Sequence, residues 1–157
     1  REAGFEHYEV SNFAQPGHRC IHNMNTWKMG EWVGLGPAAA SQQDGWRGGN
    51  PADLEAWIGD LDGGLRGQSE REDLSPARLA EDSIVFGLRL IEGVDLAALK
   101  QRFPGVCLER VYSFTKRLED NGLLVSDGKD RVRLTESGLM ICDAIGADMM
   151  GLARDRG

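Results

Sequence analysis

Cysteine is scarce in this chain: Cys20, Cys107 and Cys142 are the three in 157 residues. Scattered singly, they supply no disulfide framework and read as reduced thiols, which places the protein in the cytoplasm. With no CxxC or CxxxC pair, the chain cannot hold a cysteine-ligated zinc or iron–sulfur cluster unaided. Long apolar runs are missing as well, which excludes an integral membrane segment. So is an excess of positive charge. The 18 Lys and Arg stand against 25 Asp and Glu, a net charge of −7, and this removes any general attraction to nucleic acid or anionic lipid. Neither an internal repeat nor a low-complexity segment occurs. Histidine is limited to three residues, all between His7 and His22.

What is present is the composition of a soluble globular protein, 41% hydrophobic and 27% charged, with 21 glycines. The first residue is Arg1, and REAG reads as the end of a helix stopped by Gly4. A fragment of a longer protein is therefore expected. Residues 1–73 hold 6 basic and 12 acidic residues, and the remainder 12 and 13. The polar stretch GQSEREDLSP, 67–76, has the character of a domain boundary between 1–73 and 74–157.

The first half reads strand, long loop, strand, helix. HYEVS and EWVGLG are the expected strands. Asn50 is expected to cap a helix with Pro51 in its first position and Leu54, Trp57, Ile58 and Leu61 as its apolar stripe, stopped by Gly63 and Gly64. Two strands and a helix do not close a core, so this half must complete something larger.

The second half reads as self-sufficient. A helix starts at Ser75–Pro76, and its stretch IVFGLRLI carries a single charge, Arg89, so it is buried on most sides. Asp95 caps DLAALKQRF. A third helix runs from about 108 to 121 with Leu108, Val111, Tyr112, Thr115 and Leu118 on one face. Asp127–Gly128 turns a hairpin, and Thr135 opens a last helix with Leu139, Cys142, Ile145 and Met149 inward. This order is that of a winged helix. A winged-helix nucleic-acid binder is nonetheless disfavoured: Arg110, Lys116 and Arg117 are balanced by Glu109, Glu119 and Asp120, and phosphate gripping needs a surplus of base.

The ordered set YEVSNFAQPGHRCIHNMNTW then EWVGLGPAAAS resembles the later barrel segment of HemW-like radical S-adenosylmethionine (SAM) proteins, relatives of oxygen-independent coproporphyrinogen III oxidase. The family pattern is YEISNFA, PG, HNxxYW and LGLGxGAHS, followed by a small C-terminal domain. Tyr8 to Ala14, His22–Asn23, Trp27 and Leu35–Gly36 coincide with it. Thr26 stands where the pattern has tyrosine, Ala40 where it has histidine, and Cys20 where a small hydroxyl residue is usual. The resemblance implies an α/β plus mainly-α fold: the last βα elements of a radical SAM (β/α) barrel, then a winged-helix-like domain. It also implies a [4Fe–4S] cluster and SAM in the full-length parent, with the cluster-binding CxxxCxxC outside this chain. The function implied is haem binding and transfer to an acceptor protein, that is, a haem chaperone. The alternative is oxidative decarboxylation of coproporphyrinogen III.

Within that frame His22 is the expected haem-iron ligand, Asn23 a residue that fixes its ring or bonds a propionate, and Trp27 a surface for the macrocycle. The structural alternative makes all three anchors of a long loop. Glu9, Ser11 and Asn12 fall at the end of a strand, where barrel sites lie, and border the SAM or tetrapyrrole; otherwise they serve turn chemistry. Gly34 and Gly36 border the SAM pocket or make a tight strand exit. His18, Cys20 and His22 would share one side of an extended segment, too small a set for zinc. His7, within the strand, reads as a packing residue. The serines have no base and orienter partners, and Glu70 and Glu72 read as solvated linker carboxylates.

Overall fold

The computed structural model describes residues 3–65, 69–128 and 130–155. In chain order the elements are β1 (Glu6–Glu9), β2 (Asn12–Ala14), α1 (Ile21–Trp27), β3 (Ala40–Gln43), β4 (Trp46–Gly49), α2 (Leu54–Asp62), β5 (Ser69–Asp73), α3 (Pro76–Gly87), β6 (Val94–Asp95), α4 (Leu96–Arg102), β7 (Val106–Cys107), α5 (Glu109–Asp120), β8 (Leu124–Ser126), β9 (Arg131–Leu134), α6 (Glu136–Met140), α7 (Cys142–Met149) and β10 (Arg154–Asp155). They form two compact units, residues 1–29 with 76–157 and residues 30–75. The packing thus crosses the boundary expected near residue 73, because the opening segment joins the C-terminal part. Arg1 and Glu2, on which the reading of a helix end rested, and Gly67 and Gln68 of the expected linker lie outside the described residues.

In the larger unit, apolar side chains from Ala77 to Ala153 make one continuous core. Ile84 and Leu88, Leu96, Val106, Val111, Leu124 and Met149 are fully buried. Each such burial stabilises by about 1.5–3 kcal/mol. The expected caps hold: Asp95 accepts from the Ala98 N–H at 2.9 Å, and Thr135 from the Gly138 N–H at 3.1 Å. On α5, Val111, Thr115 and Leu118 face the core as their spacing requires, joined by Phe114. β9 is the centre of an antiparallel sheet ordered β6-β9-β8, with Val94 opposite Val132 and Leu124 opposite Leu134. The single helix expected after Thr135 is instead two. Ile141, at φ −122° and ψ 25°, interrupts it, while Cys142, Ile145 and Met149 still face inward.

The opening segment of this unit is a hairpin, β1 against β2, turned at Val10–Ser11. It is strapped to residues 89–91 by Val10 N–H donating to the Arg89 carbonyl at 2.9 Å and Ile91 N–H to the Tyr8 carbonyl at 3.2 Å. HYEVS is therefore one arm of an antiparallel pair, and every strand pairing among the described residues is antiparallel.

The smaller unit differs most from its expected form. Its sheet is β3-β4-β5, all antiparallel. β3 and β4 join at Asp44–Gly45, both at positive φ (47° and 76°), a turn whose twist suits a two-residue hairpin. β5 comes from the stretch expected to be a polar linker, and Glu72 there pairs with Arg47 at 3.3 Å. EWVGLG contributes one isolated bridge, Trp32 to Gln42, rather than a strand. α2 is capped by Asp53, which accepts from the Ala56 N–H at 2.9 Å, and not by Asn50.

Candidate functional site

HRCIHNMNTW was expected to be a loop and folds as α1 from Ile21 onward. Its residues are mediocre helix formers, and Cys20 before it provides no side-chain cap. Packing holds it instead. The Trp27 ring lies 5.9 Å from Phe86 of α3 at 42°, and the Arg89 guanidinium sits 4.7 Å from the Trp27 ring centre. Glu92 receives Lys28 at 3.0 Å and Arg19 at 3.8 Å, the two residues that flank the helix. These ion pairs are exposed and contribute at most about 1 kcal/mol each. Thr26 donates to the His22 carbonyl at 3.1 Å, a bond within α1 that a tyrosine at this position would not make.

The result is a short, pinned helix whose first turn presents His22 to solvent, with Asn23 half-buried beside it. Trp27 is turned to α3, so its packing is the anchor of the structural alternative. Its indole Nε1 is buried without a hydrogen-bond partner. Because the helix begins at Ile21, the alternation of His18, Cys20 and His22 along an extended strand does not arise. Both His18 and Cys20 are exposed. Among the described residues, no three His, Cys, Asp or Glu come together to hold a metal ion.

Glu9 has no solvent exposure. Its carboxylate accepts from the Ser11 N–H at 3.3 Å and from the Asn12 side-chain amide, which fixes the β1–β2 turn. Sequence spacing could not distinguish this from a site at the end of a barrel strand. His7 stacks on Phe13 at 4.4 Å and 16°, with Nε2 3.3 Å from the Val10 carbonyl.

Gly34 and Gly36 belong to the smaller unit. A methyl group on Gly34 would collide with the Ala40 carbonyl oxygen, and Gly36 sits at φ 99°. Their carbonyls accept from the buried Asn50 side chain at 3.2 and 2.7 Å, and the Gly34 N–H donates to Ser41 at 2.9 Å. The close approach that the glycines permit is therefore to the chain itself. Asn50 was expected as a helix cap, and its actual task is to close this turn. A cavity of about 400 Å³ opens nearby, walled by Ala38, Ala40, Arg47, Gly49 and Asn50 among others.

Arg89 is the functional candidate that sequence reasoning passed over. It bonds Asp143 at 2.6 Å, covers Trp27 and helps line a cavity of about 250 Å³ with Phe86 and Cys142. The signal was the single charge inside IVFGLRLI. Burial pushes the Cys142 thiol up, Arg89 draws it down and Asp143 raises it, with a net upward shift.

Comparison with known proteins agrees with this architecture. Residues 74–141 match the family model of the HemN C-terminal domain. The haem chaperone HemW of Synechocystis is 41% identical over 105 residues, 62% of this chain and 24% of that protein. Bovine mitochondrial radical S-adenosyl methionine domain-containing protein 1 is 31% identical over 157 residues, 92% of this chain and 35% of that protein. The chain resembles the HemW-like radical SAM proteins. It spans roughly a quarter to a third of the length of these relatives. Coproporphyrinogen III oxidase (HemN) of Escherichia coli, a radical SAM enzyme, superposes with a TM-score of 0.71 at 14% identity, over 96% of this chain and 38% of the oxidase. That likeness establishes a shared fold. No described helix is long and apolar enough to cross a membrane.

Proposed function

We propose that this HemW-like chain is the haem-handling portion of a haem chaperone, with His22 as the axial ligand of the iron and haem as cargo for an acceptor protein. One observation carries the reading: His22 stands exposed on the first turn of a helix whose other end is pinned. A neutral imidazole nitrogen is a good ligand for haem iron, and a pinned helix fixes where it is offered. Asn23 is placed to orient the ring or meet a propionate, and Trp27 serves by holding α1 to α3. The relative named a haem chaperone supports the haem part of this reading.

The parent protein, on this reading, also carries SAM and a [4Fe–4S] cluster on segments other than this one. The three cysteines here are exposed, half-buried and buried in turn, so they do not fit a cluster and no step is assigned to one. Residues 1–73 belong to the end of the barrel in this proposal, and 74–157 to a winged-helix-like domain. That domain packs rather than reads DNA. On α5, Lys116 is tied to Glu119 at 3.2 Å and Asp120 at 2.9 Å, and on β9 Arg131 lies 3.5 Å from Asp95.

A second reading, coproporphyrinogen III decarboxylation, draws on the fold shared with HemN. Coproporphyrinogen carries no iron, so the two readings part at His22. A haemin titration followed at the Soret band is expected to show a stoichiometric shift that His22→Ala removes. An absent shift, with turnover of coproporphyrinogen by the intact parent under anaerobic conditions, would replace the chaperone reading with the oxidase.

A further inference from the structure

Among the described residues of the larger unit, the indole Nε1 of Trp27 and the guanidinium Nε of Arg89 are buried without acceptors. Buried donors are almost always paired, because an unpaired one forfeits its hydration without return. These two are neighbours, since the Arg89 guanidinium lies 4.7 Å from the Trp27 ring centre. Arg89 is also on the wall of a cavity of about 250 Å³ whose other sides include Val85, Phe86, Cys142 and Met150. The polar contact already made there is informative. One Nη of Arg89 holds the Asp143 carboxylate at 2.6 Å, and the Asp143 side chain is 88% exposed. The guanidinium is thus already a carboxylate receptor, engaged by a side chain that costs little to release.

We infer that Arg89, stacked on Trp27, forms a subsite for a carboxylate, the propionate arm of a tetrapyrrole, which pairs with the guanidinium at the cavity and displaces Asp143. This rests on the proposed haem function and adds the group that recognises the acid arm. The planar guanidinium fork suits a carboxylate better than a spherical anion. Aliphatic and aromatic walls suit the hydrocarbon arm that carries it. The cavity is too small for a macrocycle and large enough for one arm.

Metal-free protoporphyrin IX and its dimethyl ester test this without iron ligation, so failure of His22 as a ligand leaves the result readable. Titrated into the full chain and followed by porphyrin fluorescence, the free acid is expected to bind at least about tenfold more tightly than the ester, the value of one charge-assisted contact. The net charge of −7 acts against a dianion, so such a preference cannot come from the general field of the protein. Arg89→Gln is expected to erase the preference. Asp143→Asn, at an exposed position, is expected to tighten the acid several-fold by removing its competitor, and it keeps the test sound if Arg89→Gln unfolds. Benzoate is the arm that separates a porphyrin propionate from any free carboxylate. Equal binding of acid and ester, an unchanged affinity in Asp143→Asn, or benzoate binding as tight as the porphyrin would each overturn the inference. In the first two cases a His22-dependent Soret shift would still stand.

Discussion

The two compact units solve the same problem by different means. In the larger, an apolar core runs unbroken from Ala77 to Ala153 through α3, α5, α7 and the β6-β9-β8 sheet. Among the described residues of 30–75 the buried side chains are more often polar than apolar: Ser41, Gln42 and Asn50 beside Trp46 and Leu74. The apolar stripe of α2 is left open, with Leu54 at 55% and Ile58 at 47% exposure. The larger unit is held by burial, which is non-directional and tolerant. The smaller is held by particular hydrogen bonds at a crowded turn, which is directional and brittle. The stripe on α2 nevertheless follows helical spacing, so apolar periodicity reports a helix whether or not anything covers it.

Substitution is the direct way to break this contrast. Ile84→Ala removes a fully buried side chain and is expected to cost about 2–5 kcal/mol of unfolding free energy, read by denaturant melts. Asn50→Ala deletes both amide bonds to the Gly34 and Gly36 carbonyls and is expected to cost about 1–3 kcal/mol, with amide exchange rising within residues 30–75. Asp95→Ala removes a cap and is expected to cost about 1 kcal/mol. Ile58→Ala, on the open face, should stay within about 0.5 kcal/mol. A large loss there would show that α2 is covered and that the contrast is misdrawn.

A thiol comparison sharpens the same point inside the larger unit. Cys20 is exposed and Cys142 buried, so an alkylating agent at pH 8 should label Cys20 well before Cys142. Burial, the leading cause, holds the Cys142 thiol above its ordinary value. The stability gained by keeping it neutral is therefore complete below the ordinary thiol pKa, and it is lost as pH rises through the raised one. Labelling of both thiols at one rate would contradict this.

Local chemistry made the larger unit legible. Asp95 and Thr135 announced helix starts because their side chains accept the first free N–H groups, and Asp127–Gly128 announced a hairpin. Asp44–Gly45 carries the same hairpin signal, but the glycines and alanines around it give no alternating pattern of large side chains. β5 was mistaken for linker, since an edge strand rich in Glu and Arg looks like one. α1 escaped because neither a cap nor propensity marks it. It exists through the contact of Trp27 with Phe86 and Arg89, residues some 60 positions away in sequence. For the site, HNMNTW pointed to His22 and Trp27 as a pair. It could not tell that one faces solvent and the other packs on α3.

The most direct test of the account is a haemin titration of this chain with its three histidines replaced singly. The Soret shift is expected to survive His7→Ala, whose ring is occupied by Phe13, and His18→Ala, and to be lost in His22→Ala alone. A shift that persists in His22→Ala, or that disappears in His7→Ala instead, would contradict the assignment and return α1 to a purely structural role.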